Sequence, residues 1–181
     1  MSRVGNKPIP LPPGVQVEID GSRVVVKGSK GTLTQSFNPD LSIVREGDVL
    51  RVTRPTDNRD HRALHGLTGA LLANMVVGVT EGYRQTLELV GAGYRAQQSG
   101  ENIVLQVGYS HPVEIVPLPN VALTVEGNNR VHVEGIDKQA VGEMAARIRR
   151  VRRPNAYTGK GIRLAGERIR LKPGKAAGRK A

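Results

Sequence analysis

Apolar and polar residues alternate over the first 56 positions in short runs that are typical of β-strands. Turn residues separate these runs, for example Asp20-Gly21 and Gly47-Asp48. Residues 28–31 have the GxxG form of the KH loop, which joins two helices and clamps a nucleic-acid backbone. Because the flanks of residues 28–31 are strand-like instead, a hairpin turn is favoured. We predict five strands, at residues 15–19, 23–27, 32–37, 41–45 and 49–54.

Helical spacing replaces this pattern after Pro55. The apolar stripe predicted to cover a sheet consists of Leu64, Leu67, Leu71 and Met75. Asp57 or Asn58 is the predicted N-cap, and Gly78 lies near the predicted end. His61 and His65, spaced i and i+4, would suit zinc on one face, but Arg62 stands where the metalloprotease motif needs Glu, so we predict two solvated histidines.

The same order of elements returns in the second half. Strands are predicted at residues 85–90, 94–98, 102–107, 113–116, 121–125 and 131–134. A helix then begins after Asp137, with the apolar positions Val141, Met144, Ile148 and Val151, and ends before Pro154. We infer two copies of a β-rich unit closed by one helix, with a boundary near Gly82-Tyr83.

The inventory for catalysis is thin. Cysteine is absent, there are four histidines, and no nucleophile stands beside a base. Residues 91–96 match the G-x-G-x-x-A form of a dinucleotide fingerprint, but a strand rather than a helix is predicted to follow. We expect no enzyme activity, no cofactor, no metal and no small-molecule substrate. No apolar run approaches a membrane span and no signal-peptide core is found, so we expect an intracellular protein without a membrane partner.

Positive charge is concentrated at one end of the chain. Residues 147–181 hold 13 of the 27 Lys and Arg residues against one acid, Glu167, whereas the formal net charge of the whole chain is +11. A solubility surface would intersperse acidic residues. The segregation therefore predicts binding to a polyanion, with nucleic acid as the first candidate. An aromatic content of 3% argues against a domain that stacks several bases on a sheet.

Individual residues of this segment suit phosphate contacts. Arg149, Arg152 and Arg153 are predicted on the solvent arc of the second helix, opposite Ile148 and Val151. Glycines around a lysine would let the backbone approach a phosphate, and one tyrosine in the same stretch would stack on a base or sugar. Strand spacing puts Arg168 and Arg170 on one face. The predicted RNA-binding set is Arg149, Arg152, Arg153, Tyr157, Gly159, Lys160, Gly161, Arg163, Arg168, Arg170, Lys172 and Lys175.

Seven ordered motifs carry a resemblance to a known family. They are MSRVGNKPI with PLPPGV, MVVGVTEGY, LVGAGYRA, GYSHPVEI, GIDKQAVGEMAARIR and RRPNAYTGKGIR. Together they resemble the bacterial sixth protein of the large ribosomal subunit over essentially the full length. That family reads roughly Arg-Arg-Pro-Glu-Pro-Tyr-Lys-Gly-Lys-Gly-Ile in its strongest block. This chain departs from it at Asn155, Ala156 and Thr158, so one cation expected from the resemblance, a lysine at position 158, is missing.

The resemblance implies an α+β fold of two tandem, duplicated small domains, each an antiparallel sheet with one helix packed on a face. The expected limits are 1–82 for the N-terminal domain, 83–172 for an rRNA-binding C-terminal domain and 173–181 for a basic tail. It also implies a structural, cytoplasmic ribosomal protein that binds 23S rRNA near the sarcin-ricin region, contacts neighbouring large-subunit proteins and forms no homo-oligomer. A free-standing RNA chaperone, which would bind unrelated RNA and DNA alike, is the alternative.

Overall fold

A computed structural model describes residues 5–175 of the chain, which divide into two compact units. Among these described residues, the first unit comprises 5–83 and 136–138, and the second comprises 84–135 and 139–175. The α+β class and the duplicated arrangement predicted from the sequence are confirmed. The domain limits 1–82, 83–172 and 173–181 stay a prediction, and residues 1–4 and 176–181 lie outside the described residues.

The first unit contains six strands in two antiparallel sheets rather than the single sheet we expected. The strands are β1 (Ile9–Pro10), β2 (Gln16–Asp20), β3 (Arg23–Gly28), β4 (Gly31–Ser36), β5 (Ser42–Glu46) and β6 (Val49–Thr53). Their orders are β2-β3-β4 and β1-β6-β5. Gly28 pairs with Gly31 across the β3–β4 hairpin, so the GxxG segment is a turn between strands. Five strands were expected, and the extra one is the two-residue β1, which is too short to carry a periodicity.

Helix α1 (Arg59–Thr80) covers the sheets with a face that only partly coincides with the one predicted. Leu72, Met75, Val76 and Val79 are buried, whereas Leu67 is 54% exposed. Leu64 and Leu71, also in the predicted stripe, are only half-buried. Leu64 and Leu71 nevertheless pack against the core with Met75, so the predicted stripe is wrong at Leu67 and misses Leu72, Val76 and Val79. The helix carries apolar residues around most of its circumference, so periodicity alone offered more than one stripe, and packing against the sheets selected between them.

His65, one of the two helix histidines that were predicted to be solvated, is buried. His65 is only 2% exposed, with Nε2 2.9 Å from the carbonyl oxygen of Val52 and Nδ1 2.8 Å from the guanidinium of Arg54. A carbonyl only accepts and a guanidinium only donates, so Nε2 carries the hydrogen and Nδ1 accepts. Both ring nitrogens are satisfied within the fold. His61 is half-buried, with Nδ1 2.7 Å from Thr56 Oγ1. Within residues 5–175, no group of three or more metal-binding side chains is found.

The ends of α1 follow capping chemistry. Asn58 is the N-cap, as one of the two predictions had it, and its side chain accepts a hydrogen bond from the backbone N–H of Arg59. The helix ends at Thr80, two residues past Gly78, which was predicted to lie near its end. Gly82, with φ +76°, supplies the left-handed residue at the end, and its N–H donates to the carbonyl of Val77.

Helix α1 is long and apolar enough to span a membrane by length and composition alone, contrary to the expectation that no run approaches such a span. In this fold 44% of its apolar stretch is buried inside the protein. Core helices of soluble proteins meet the same criteria, so the finding is weak as a sign of membrane insertion.

The second unit repeats the plan with two further sheets. Its strands are β7 (Tyr83–Val90), β8 (Arg95–Ser99), β9 (Asn102–Gln106), β10 (Val113–Ile115), β11 (Val121–Glu126), β12 (Arg130–Gly135) and β13 (Gly161–Leu164). They form sheets of order β11-β12-β7-β13 and β10-β9-β8. Residues 91–93 lead into β8, not into a helix, so the dinucleotide fingerprint lacks the helix that it requires. Helix α2 (Lys138–Val151) begins directly after Asp137.

Gln98 joins the edges of these two sheets through its side-chain amide. Its Nε2 donates to the carbonyl of Leu123, 3.2 Å away, and its Oε1 accepts from the N–H of Val125 at 3.1 Å. The amide thus replaces the peptide group that a neighbouring strand would present to β11. Because edge strands otherwise leave such groups unpaired, Gln98 closes this part of the edge.

Candidate nucleic-acid interface

Helix α2 positions the first cations of the basic segment. Val141, Met144, Ala145 and Ile148 bury one face of the helix, and Arg149 and Arg150 occupy its last turn, where positive charge suits the helix dipole. The helix ends at Val151, so the prediction that Arg152 and Arg153 belong to it is wrong. Pro154 disfavours helical geometry at the residue before it, which explains the early end.

Arg149 is held by the only acid of the segment. Its Nη2 lies 2.5 Å from Oε1 of Glu167 and its Nε 3.1 Å from Oε2, which makes a bidentate pair. Glu167 Oε2 also accepts the backbone N–H of Leu164 at 3.1 Å. Hydrogen bonding from Arg149 lowers the pKa of Glu167 below its usual value of 4.5. Arg149 is therefore half-buried and already neutralised, rather than fully solvated as predicted.

Arg163 is paired in a similar way on β13. It faces Glu88 directly across the β7–β13 ladder, with Nη2 3.0 Å and Nε 3.2 Å from Oε2. The neighbouring Ile162 is fully buried. The sequence-based interpretation of residues 159–163 as a phosphate loop missed this strand. In the sequence, the alternating apolar residues Ile162 and Leu164 were the only sign of strand β13. Two such residues among glycines and cations are too few to predict a strand.

Arg152 packs against an aromatic ring. Its Cζ lies 4.9 Å from the ring centroid of Tyr109. Hydrogen bonding with Tyr109, and then with Tyr94, raises the pKa of Arg152 above its already high value, so the guanidinium keeps its charge. Three of the predicted phosphate-binding arginines, Arg149, Arg152 and Arg163, thus have partners inside the protein.

The remaining predicted cations face solvent. They are exposed, and the described part of the chain shows no ion pair for any of them: Arg153, Lys160, Arg168, Arg170, Lys172 and Lys175. Surface cations without an acidic partner can neutralise phosphates and so release the cations that are condensed on a nucleic acid. These side chains are the ones best placed to neutralise a nucleic-acid backbone.

Residues 155–160 form a compact turn held by the side chain of Asn155. Asn155 Oδ1 accepts the backbone N–H groups of Tyr157 at 2.8 Å and Thr158 at 3.2 Å. The N–H of Gly159 donates to the carbonyl of Asn155 at 2.8 Å. Consequently Tyr157, which is 61% exposed, and Lys160 project from a turn of defined shape.

The two glycines that flank Lys160, Gly159 in this turn and Gly161 at the start of β13, are glycine for different reasons. Gly159 has φ +71°, and a Cβ there would meet only Leu171 Cδ2, at 3.4 Å. Gly161 has φ +147°, and its Cβ would lie 2.6 Å from Pro154 Cα and 2.7 Å from the carbonyl oxygen of Arg153. Hydrogen bonds from Asn155 N to Lys160 O and from Ile162 N to Arg152 O hold those two backbone segments together. Packing therefore accounts for Gly161 without any ligand.

The segment after β13 forms no strand over residues 167–174, contrary to the spacing expected for Arg168 and Arg170. Exposure nevertheless alternates, because Ile169 is half-buried while both arginines are exposed. The N–H of Lys172 donates to the carbonyl of Ala156 at 2.8 Å and ties this segment to the Asn155 turn. The predicted tail beyond Lys175 lies outside the described residues.

An open groove runs along α2 and contains a cation that the sequence-based set omitted. Gly142, Ala145 and Ala146 form part of its lining, together with Gln85, Leu164, Glu167 and three arginines, Arg149, Arg150 and Arg153. Arg150 is exposed. Its spacing of three residues from Arg147 and from Arg153 was the available signal for placing it with the other cations.

Comparison with known proteins identifies the family. The family model described as ribosomal protein L6 matches residues 11–82 and 90–164, once in each half of the chain. A "large ribosomal subunit protein uL6" of Carboxydothermus hydrogenoformans is 53% identical over 99% of this chain and 98% of its own length. Proteins of the same name from Caldicellulosiruptor saccharolyticus and Listeria welshimeri are 54% and 56% identical, each over 97% of this chain, covering 97% and 98% of their own lengths. The resemblance found in the sequence is thus confirmed, and the chain belongs to the ribosomal protein L6 family.

Proposed function

We propose that the protein is a structural component of the large ribosomal subunit in the cytoplasm and binds 23S rRNA mainly through the second unit. Family membership supports the assignment to the ribosome. The single observation that supports the location of the interface is the segregation of charge: nearly half of all cations lie in residues 147–181, where the only acid is paired with Arg149. As the resemblance implies, we place this contact near the sarcin-ricin region, with neighbouring large-subunit proteins as further partners.

The described cations divide into two roles in this proposal. Exposed side chains such as Arg150, Arg153 and Lys160 neutralise phosphates and release counterions, so the affinity falls steeply with salt. Arg149 and Arg163 are oriented by Glu167 and Glu88 and contribute shape more than net charge. Shape matters because the major groove of A-form RNA is too narrow for side chains to read its bases.

Tyr157 and the backbone at Gly159 complete the proposed surface. The exposed phenol ring suits stacking on a base or sugar. At Gly159 only the side-chain end of Leu171 lies near the position of a Cβ, so the backbone can approach a phosphate once that side chain moves. Gly161 serves the same surface indirectly, by letting β13 approach Pro154.

The experiment is a salt titration of the full chain with an rRNA fragment that contains the sarcin-ricin helix. We expect Arg153→Ala to flatten the slope of log affinity against log salt by about 0.9, which corresponds to about 3.5-fold of affinity over a fourfold change in salt. Arg23→Ala removes the same charge from β3 in the first unit and serves as the matched control. An unchanged slope for Arg153→Ala, or an equal change for both variants, would contradict the proposed interface.

Competition separates the ribosomal role from general chaperone activity. A site-specific component keeps its affinity for the rRNA fragment in the presence of excess unrelated RNA of equal length. If unrelated RNA competes equally well, the protein does not recognise a particular rRNA site.

A further inference from the structure

The loop between β9 and β10, with the sequence Gly108-Tyr109-Ser110-His111-Pro112, presents two exposed rings. The rings of Tyr109 and His111 lie 6.0 Å apart between centroids, with an interplanar angle of 15°. Tyr109 is 43% exposed, and His111 is also exposed. Two nearly parallel, solvent-facing rings are uncommon in a chain whose aromatic content is only 3%.

This pair of rings is anchored to the start of the basic segment. The hydroxyl of Tyr109 donates to the carbonyl of Val151 at 2.9 Å, at the last residue of α2. The Arg152 guanidinium packs over the same ring. The loop is therefore preorganised, which reduces the ordering cost of binding a ligand.

Anchoring the loop to α2 explains Tyr109 but not His111. Within residues 5–175, the His111 ring makes no hydrogen bond and no ion pair. Its exposed face and edge nitrogens remain available to a ligand, on the same loop as the Tyr109 ring over which the Arg152 guanidinium packs.

We propose that this ring pair, Tyr109 and His111, is a stacking site for one unpaired nucleobase, with Arg152 as the neighbouring cation. The proposal depends on the proposed RNA-binding function and adds a preference for single-stranded or bulged positions. Unstacked bases are commonly recognised by stacking on aromatic side chains and guanidinium planes. A fully paired helix offers no free base and gains nothing from the site.

The test uses two hairpins derived from the rRNA fragment that contains the sarcin-ricin helix, one carrying a bulged 2-aminopurine and the other fully paired with the same nucleotide. We expect the full-length protein to quench the bulged probe and to bind it more tightly than the paired hairpin. His111→Ala should weaken binding of the bulged hairpin by about 10-fold and abolish the quenching, while the affinity for the paired hairpin and the salt slope stay unchanged. Ser110→Ala is the control in the same loop.

A second variant is expected to increase the affinity for the bulged hairpin. His111→Trp enlarges the stacking surface and places the only tryptophan of the chain at the site, so tighter binding and a change in tryptophan emission with the bulged probe are expected. The proposal is overturned if wild-type protein does not distinguish the hairpins, or if His111→Ala weakens both equally. If neither hairpin binds with a salt-dependent affinity, the RNA-binding function itself fails.

Discussion

Replacement of Gly161 by alanine separates a packing role from a ligand-binding role. The new Cβ would lie 2.6 Å from Pro154 Cα and 2.7 Å from the carbonyl oxygen of Arg153. Both are backbone atoms, and the flanking hydrogen bonds prevent them from moving apart. An L-residue at φ +147° costs about 1–3 kcal/mol of strain, and an overpacked contact of this kind costs about as much again. We expect a loss of about 4 kcal/mol in the free energy of unfolding.

Gly159→Ala is the matched control, two residues earlier in the chain. Its φ of +71° carries the ordinary left-handed penalty of about 1 kcal/mol, and the nearest atom to the new Cβ is the mobile end of Leu171 at 3.4 Å. Urea denaturation followed by far-UV circular dichroism measures both variants. The expected difference between them is about 3 kcal/mol.

The refuting result is specific. If Gly161→Ala is as stable as Gly159→Ala but binds rRNA much more weakly, then Gly161 is a point of close phosphate approach and the packing explanation is wrong. If it is destabilised as expected, the rRNA affinity of the fraction that remains folded should be close to that of the wild type.

Two further predictions concern the second unit. Gln98→Leu leaves the N–H of Val125 and the carbonyl of Leu123 without their partner. Because solvent replaces part of this hydrogen bonding, we expect the free energy of unfolding to fall by about 1 kcal/mol in urea denaturation. Gln97→Leu on the same strand is the control. Glu167, with its lowered pKa, adds stability that is complete above the usual value of 4.5 and is lost as the pH falls through the folded-state pKa. Urea denaturation between pH 3 and 6 should therefore show a weaker acid dependence for Glu167→Gln, and an unchanged dependence would contradict the role of the pair.

Sequence periodicity predicted most strands and both helices of the fold because their signals are local. The β3–β4 hairpin and the Asn58 cap follow from residues that are close together in the chain. The charge asymmetry of residues 147–181 is likewise visible without coordinates, and it indicated a polyanion before any geometry was known. The family motifs, spread over the whole length, indicated a protein of the large ribosomal subunit.

Contacts between distant residues decided the rest. The buried face of α1 could not be chosen from a helix that is apolar on several sides, and His65 became a core residue only because Arg54 and Val52 meet its ring. Strand β13 forms because it pairs with β7, about 75 residues earlier in the chain. A pattern of neighbouring residues cannot indicate a pairing between segments so far apart.

The sequence by itself determined that this chain carries a surplus of positive charge at one end and a duplicated α+β plan. Only the tertiary structure decided which of those cations are available, because Glu88 and Glu167 reach Arg163 and Arg149 through the fold, whereas Arg150, Arg153 and Lys160 meet solvent. The physical reason is that formal charge is a property of composition, but its neutralisation depends on distances between side chains that folding alone brings together.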